Sequence, residues 1–139
     1  MKTSEIFPSI QGEGRGQGLV TTFVRLAGCN LRCRWCDTRY AWDGGEEMSV
    51  DAVAAAVRDL GIRRICITGG EPLLQGDELS QLLAILAEEK YEIEIETNGT
   101  IDPSPYHRYA TICMDVKCPA SGEESDLTLL ARLGPKDSV

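Results

Sequence analysis

Three cysteines fall within eight residues of this chain, at Cys29, Cys33 and Cys36, and no histidine lies in the same segment. Thiols at spacings of four and three residues in a turn-rich stretch can bind one metal centre together. A structural zinc ion takes four protein ligands, so one of the other three cysteines would have to complete it. An iron–sulfur cubane held by three thiolates instead leaves one iron open to a small molecule. The spacing therefore favours a cubane, with a zinc site or a redox dithiol as the alternatives.

The size and composition indicate one globular domain over residues 1–139. The chain has 139 residues, 42% of them hydrophobic and 26% charged, which is ordinary for a soluble domain. No apolar run approaches the roughly 20 residues of a membrane-spanning helix, and residues 1–7 lack the apolar stretch of a signal peptide. We therefore expect a cytoplasmic protein with reduced cysteines. A net charge of −8 argues against a nucleic-acid groove, because phosphate binding requires clustered basic residues.

Strands and helices alternate along the sequence. Hydrophobic patterns predict strands over residues 21–27, 64–68, 91–97 and 111–117, and helices over about 50–60, 77–90 and 126–133. Ser49 is a suitable N-cap for the first helix and Gly61 a suitable residue after its end. The glycine-rich segment 9–18 predicts a loop. The pattern indicates parallel βαβ units.

Several residues have more than one interpretation. Arg25, within an apolar strand, is either an exposed or ion-paired side chain or one aimed into a cavity to bind an anion bidentately. The strict alternation of residues 91–97 predicts a strand with its carboxylates facing water. We expect Cys66, Cys113 and Cys118 to be small buried residues, His107 to lie on the surface, and Asp115 and Lys117 either to bind a ligand or to pair with each other.

The polar motifs follow the predicted strands. Four polar motifs each lie at the end of a predicted strand. They are the cysteine segment (residues 29–38) and residues 68–72, 96–99 and 115–117. Ligands bind at the carboxyl ends of the strands in parallel sheets and barrels. We therefore expect the fold to bring these motifs together on one face.

The Cys-x3-Cys-x2-Cys motif resembles that of the radical S-adenosylmethionine (SAM) enzymes. Within that superfamily the sequence is similar to the 7-carboxy-7-deazaguanine synthase family, through residues 7–14, 23–31, 35–38, 40–42, 68–75, 96–99 and 115–122. The resemblance implies a partial TIM-like (β/α) barrel of parallel strands. It also implies conversion of 6-carboxy-5,6,7,8-tetrahydropterin to 7-carboxy-7-deazaguanine, with loss of ammonia, on the route to queuosine or archaeosine. The reaction would begin with hydrogen abstraction by a 5′-deoxyadenosyl radical.

The resemblance also implies roles for individual residues. The ligands of the [4Fe–4S] cluster would be Cys29, Cys33 and Cys36, and Thr38 would bind Mg²⁺. The contacts to the pterin would be Ile10, Gln11, Gly12, Glu13, Arg25 and Thr68. The contacts to SAM would be Trp35, Cys36, Asp37, Gly70, Glu96, Asp115 and Lys117. The implied partners are a one-electron donor of the flavodoxin or ferredoxin type and a second copy of the chain.

Members of that family continue well past the position of Val139, with further strands. The resemblance therefore implies that the family's C-terminal portion is missing here and that the barrel is truncated. Two other functions remain open from the sequence: an activase that places a glycyl radical on a partner protein, and a zinc-binding module without enzymatic activity.

Overall fold

One six-stranded mixed sheet organises the structure, in the order β3-β1-β2-β4-β5-β6. The computed structural model describes all 139 residues. The strands are β1 (Lys2–Ile10), β2 (Val20–Leu26), β3 (Glu46–Glu47), β4 (Arg64–Gly69), β5 (Glu92–Thr97) and β6 (Thr111–Met114). The α-helices are α1 (Val50–Leu60) and α2 (Gly76–Glu88), and five short 3-10 helices lie in the connections. No helix is both long and apolar enough to cross a membrane.

The four strands predicted from hydrophobic patterns pair in parallel. Strand β2 pairs with β4, β4 with β5, and β5 with β6. Their order in the sheet follows their order in the chain, as it does in a (β/α) barrel. This part of the sheet confirms the predicted βαβ arrangement.

The prediction that all strands are parallel is wrong at the other edge of the sheet. Strand β1 is antiparallel to β2, and β3 is antiparallel to β1. Strand β1 was not predicted from its sequence, because Pro8 argues against a central strand. Strand β3 covers only Lys2 and Thr3 of β1, so Pro8 lies where β1 has a free edge and its missing N–H breaks no ladder.

Both predicted long helices are present, with the expected ends. The hydroxyl of Ser49 accepts a hydrogen bond from the backbone N–H of Ala52 at 3.1 Å, and Gly61 ends α1 with a φ of 67°. Helix α2 begins one residue earlier and ends two residues earlier than predicted. The third predicted helix is a 3-10 helix, Leu127–Arg132, with no buried residue. Leu129 and Leu130 are partly buried against the core, but no side chain is fully buried, so this segment has less of the packing that stabilises a regular helix.

The two faces of the sheet differ in chemistry. Helices α1 and α2 cover one face, and the core there includes Val24, Leu26, Ile65, Ile67, Ile95, Ile112, Leu79, Leu82 and Leu83. The pairing register puts the alternate residues of the strands, including Arg25, Thr68 and Glu96, on the other face. This second face is polar, and it forms the floor of the candidate site.

The prediction that the carboxylates of β5 face water is wrong for Glu94. The side chain of Glu92 is exposed, but Glu94 is only 4% exposed and Glu96 is half-buried. Alternation reveals that Glu94 and Glu96 lie on the opposite face from Ile93 and Ile95. It does not reveal that other parts of the chain cover that face.

Candidate active site

A cavity of about 510 Å³ opens at the carboxyl ends of the parallel strands. It collects residues from the end of β1, from β2, from the cysteine segment and from the turns after β4, β5 and β6. Its lining residues are Gln11, Gly12, Glu13, Phe23, Arg25, Cys29, Leu31, Cys33, Trp35, Cys36, Asp37, Thr38, Trp42, Thr68, Gly69, Gly70, Glu96, Thr97, Asn98, Asp115 and Lys117. The expectation that strand ends bring these motifs together is confirmed.

The three thiols of the cysteine segment are free and half-buried, and all line this cavity. The sulfur of Cys29 accepts hydrogen bonds from the backbone N–H of Leu31 at 3.4 Å and from the Asn98 amide at 3.9 Å. Burial raises the pKa of the Cys29 thiol. No other cysteine and no histidine lines the cavity. The donor set is therefore three sulfurs without a fourth nitrogen or sulfur ligand.

The spacing of the sulfurs argues against a single metal ion. The three cysteine sulfurs do not all lie within 4.8 Å of one another. Thiolates bound to one zinc ion would lie about 3.8 Å apart, from a tetrahedral geometry with Zn–S bonds of about 2.3 Å. Ligands to three different irons of a cubane are farther apart. This spacing does not match one tetrahedral zinc ion, and the fit to a cluster rests on the three-sulfur donor set at the cavity.

The turn after β4 packs directly against the cysteine segment. A Cβ atom on Gly70 would lie 2.2 Å from the carbonyl oxygen of Gly28 and 2.8 Å from Cβ of Cys29. The backbone N–H of Glu71 donates to the same Gly28 oxygen at 2.8 Å. Only glycine at position 70 permits this approach, because any side chain would overlap with the backbone of Gly28.

Glu71 joins three of the loops that surround the cavity. Its carboxylate is fully buried and accepts hydrogen bonds from Leu73 N–H at 2.9 Å and Asn98 N–H at 2.7 Å. The Thr97 hydroxyl donates to both carboxylate oxygens, at 2.9 and 3.0 Å. Asn98 in turn contacts the sulfur of Cys29. One carboxylate thus fixes the turn after β4 to the end of β5, beside the cysteine segment.

Trp42 supports the cysteine segment from the other side. Its carbonyl oxygen accepts a hydrogen bond from Cys29 N–H at 3.2 Å. The guanidinium carbons of Arg32 and Arg39 lie 5.0 and 5.6 Å from the centre of a Trp42 ring, within cation–π range. Backbone and aromatic contacts therefore help to hold the cysteine segment in place.

Arg25 satisfies both interpretations offered by its sequence. Its Nε donates to Glu5 Oε1 at 2.8 Å, so it is ion-paired. It also lines the cavity, and its side chain is only 16% exposed. The terminal Nη1 and Nη2 atoms make no hydrogen bond to the protein, so they remain available to an anion in the cavity.

The floor of the cavity holds a buried acidic group. The amide nitrogen of Gln11 donates to Glu94 at 2.9 Å and to Glu96 at 3.0 Å. Oxygens of these two carboxylates and the sulfur of the buried Cys66 lie within 4.8 Å of one another. Burial raises the pKa of the Glu94 carboxyl and of the Cys66 thiol. Gln11 therefore bridges two carboxylates that lie close enough to repel each other.

We predict that Glu94→Gln stabilises the protein more at pH 8 than at pH 5. Burial raises the pKa of Glu94 in the folded state, mainly by desolvation of the charged form. The folded protein thus binds this proton more tightly than the unfolded chain does. Wild type loses that stability as the pH rises from about 4.5 through the folded pKa, and the glutamine variant does not.

Urea unfolding of the cluster-free protein at the two pH values tests this prediction. The exposed Glu92 of the same strand provides the control variant Glu92→Gln, whose difference from wild type should change little with pH. A Glu94→Gln advantage that is equal at both pH values, or larger at pH 5, contradicts the prediction.

The structure brings most of the predicted site residues together and leaves one out. Every residue predicted to contact the cluster, the pterin, SAM or Mg²⁺ lines the cavity, except Ile10, which is 57% exposed and not part of its lining. Asp115 and Lys117 line the cavity and also form an ion pair with each other.

The remaining predictions about cysteine and histidine give a mixed result. Cys66 and Cys113 are buried, as predicted, but Cys118 is exposed, because it precedes a short 3-10 helix on the surface. His107 is exposed and contacts Asp137 at 2.9 Å. The sequence analysis placed residues 96–99 at the site but assigned no individual role to Asn98, and it assigned none to Trp42 or to Glu5, which contacts Arg25. Asn98 carries a signal, because it directly follows the end of a predicted strand.

A sequence profile of the radical SAM superfamily matches residues 23–115. This range includes the three cysteines and every lining residue of the cavity except Gln11, Gly12 and Glu13 after β1 and Lys117 after β6. The chain belongs to the radical SAM superfamily. Radical SAM proteins carry a [4Fe–4S] cluster and use SAM, and the three-sulfur donor set described above fits such a cluster.

Individual relatives narrow the similarity further. The chain is 49% identical over 139 residues to a 7-carboxy-7-deazaguanine synthase from Methanospirillum hungatei, covering all of this chain and 59% of that protein. It is 42% identical over 142 aligned positions to a synthase of the same name from Koribacter versatilis, covering 63% of that protein. This radical SAM chain therefore spans about three fifths of the length of these relatives. The resemblance to the synthase family is confirmed.

A solved structure supports the fold. The crystal structure of QueE from Escherichia coli superposes with a TM-score of 0.77 and 26% sequence identity, covering 95% of this chain and 67% of that one. This agreement confirms the α/β architecture of the radical SAM type. The 139 residues of this chain correspond to a part of that fold.

Proposed function

We propose that this radical SAM chain converts 6-carboxy-5,6,7,8-tetrahydropterin to 7-carboxy-7-deazaguanine and releases ammonia. The observation that carries the proposal is the 49% identity to a 7-carboxy-7-deazaguanine synthase over every residue of the chain. The cavity supports it, because three free thiols and an arginine with a free terminal fork line the same space. The product would serve the synthesis of queuosine or archaeosine.

The pterin would lie over the polar face of the sheet. Arg25 would bind its carboxylate with two parallel hydrogen bonds, the geometry that a guanidinium provides best. The donors and acceptors of the pterin ring would form hydrogen bonds with Gln11, Glu13 and Thr68. The pKa of the Glu13 carboxyl is raised, and burial is the largest cause and repulsion from Glu96 the second. Gly12 would let the backbone approach the ring.

The nucleoside cofactor would lie beside the cysteine segment. When bound, the cluster and SAM would supply one-electron cleavage of a carbon–sulfur bond, and the protein would supply orientation and exclusion of water. Gly70 lets the turn after β4 pack closely against Cys29, at the place where SAM would bind, and Glu96 can accept hydrogen bonds from ribose hydroxyls. Lys117, which is paired with Asp115, would place its charge near the carboxylate of SAM. Trp35 and Asp37 would contact SAM on the outer side.

Several finer points belong to the same proposal. The hydroxyl of Thr38 is a hard oxygen ligand, suited to octahedral Mg²⁺, and it lies 3.6 Å from the sulfur of Cys36. A flavodoxin or ferredoxin would supply the electron, and two copies of the chain would form a homodimer. Free thiols at the cluster site suit the reducing cytoplasm. We also propose that residues 1–139 form one domain, part of a longer family fold.

The test is turnover under strict exclusion of oxygen. The protein is reconstituted with iron and sulfide, then mixed with dithionite, SAM and the carboxytetrahydropterin. The proposal predicts a product lighter than the substrate by one ammonia, together with free ammonia, and no product when SAM is omitted. SAM cleavage without ammonia release, in a protein with an intact cluster, would reject the proposed reaction and favour another radical SAM activity.

A further inference from the structure

We propose that Glu5, held in place by Tyr40, is a positioning residue that fixes the guanidinium of Arg25 for carboxylate recognition. The inference deepens the proposed function and rests on it, because the carboxylate is that of the pterin substrate. Neither Glu5 nor Tyr40 lines the cavity. Both would act through Arg25.

The first observation is the way in which Arg25 is held. Its Nε donates to Glu5 Oε1 at 2.8 Å, and neither terminal nitrogen donates to the protein. The ring of Phe7 lies 5.9 Å from the guanidinium carbon and stacks on Phe23 at 5.4 Å. The contact with Glu5 therefore fixes Nε of Arg25, and the Phe7–Phe23 pair limits the movement of the guanidinium plane. The terminal Nη1 and Nη2 atoms stay free.

The second observation is that Glu5 is itself fixed. The hydroxyl of Tyr40 donates to the same Oε1 atom at 2.6 Å. The Tyr40 hydrogen bond, followed by that from Arg25, lowers the pKa of Glu5, so the carboxylate stays charged at neutral pH. Tyr40 lies in the 3-10 helix Arg39–Ala41, directly after the cysteine segment. The chain is thus tied from the cysteine segment to the arginine.

The consequence concerns geometry more than charge. An arginine offers five N–H donors and can present either its side or its end to a carboxylate. Because Glu5 occupies the Nε side, only the terminal pair remains, and this sets one direction of approach. The charge of Glu5 by itself works against anion binding, since it offsets that of Arg25. Positioning and charge therefore predict opposite effects when Glu5 is changed.

Binding of two fluorescent probes separates these effects. 6-Carboxypterin carries the carboxylate and pterin does not, and both are measured with the reconstituted wild-type protein and its variants. Wild type should prefer 6-carboxypterin by roughly tenfold or more, as expected for a charge-assisted bidentate contact. Glu5→Ala should lose most of this preference. Glu5→Gln should retain it, because the amide oxygen accepts the same two hydrogen bonds, and Tyr40→Phe should fall between them.

The control is another arginine–glutamate pair. Glu89 binds Arg58 on the surface at 2.5 Å, away from the cavity, so Glu89→Ala should leave the preference unchanged. A Glu5→Ala protein that keeps or increases the wild-type preference would overturn the inference. An equal loss in Glu5→Gln would also overturn it, because the amide oxygen that accepts the same two hydrogen bonds would then fail to position Arg25. Circular dichroism checks that each variant folds. A wild-type protein that binds neither probe, or both equally, would instead overturn the proposed function, and this inference with it.

Discussion

Replacement of Cys33 by alanine is expected to abolish cluster binding while leaving the fold intact. The thiol is half-buried at the cavity and free of disulfides, so the fold loses little when it is removed. A cubane held by two thiolates lacks the three-point attachment that leaves a single open iron. We expect iron to fall from about four per chain to below one, and SAM cleavage to fall by about a thousandfold or more.

Cys118→Ala is the matched control for this prediction. Cys118 is exposed and does not line the cavity, so its removal should leave iron content and SAM cleavage unchanged. Iron is measured after anaerobic reconstitution, together with the visible absorption of the cluster. A Cys33→Ala protein with a full cluster and normal SAM cleavage would contradict the assignment of this thiol. Equal losses in both variants would point to general damage.

Replacement of Glu71 by leucine is expected to destabilise the protein by about 3 kcal/mol or more, from the cost of leaving several buried donors without an acceptor. Three groups would lose their partner: the N–H of Leu73, the N–H of Asn98 and the hydroxyl of Thr97. Leucine fills a similar volume, so the loss reports hydrogen bonding more than a cavity. The turn after β4 would also separate from the end of β5.

Urea unfolding of the cluster-free protein measures the effect. Glu71→Gln should lose less than Glu71→Leu, since its amide oxygen still accepts from part of the group. The exposed Glu88 of α2 provides the control Glu88→Leu, which should change stability by less than about 0.5 kcal/mol. If Glu71→Leu is as stable as wild type, the carboxylate does not fix the turn after β4 to the end of β5 as described.

Local patterns were sufficient to predict the elements whose sequence and burial agree. Strands β2, β4, β5 and β6 carry β-branched residues between clear breaks, and α1 carries Ser49 and Gly61 at its ends. Because parallel strands share one edge for their carboxyl ends, the location of the cavity followed from these strands alone. The cysteine spacing then indicated the type of metal centre.

Other features depend on contacts between distant parts of the chain. Glu94 reads as a water-facing residue, but Gln11, 83 positions earlier, covers it. Glu71 lies in a turn, and its importance comes from partners near residue 97. Strand β1 contains a proline that is tolerated only because β3 is too short to cover it. No local pattern contains this information, since each case is decided by what packs against the residue.

We propose that Cys29, Cys33 and Cys36 hold a cubane with one open iron. The most direct measurement is the metal and sulfide content of the protein after anaerobic reconstitution, with zinc and iron both offered. We expect about four irons and four sulfides per chain, and a change in the Mössbauer signal of one iron when SAM is added. One zinc ion per chain, bound by four side chains and without sulfide, would contradict it.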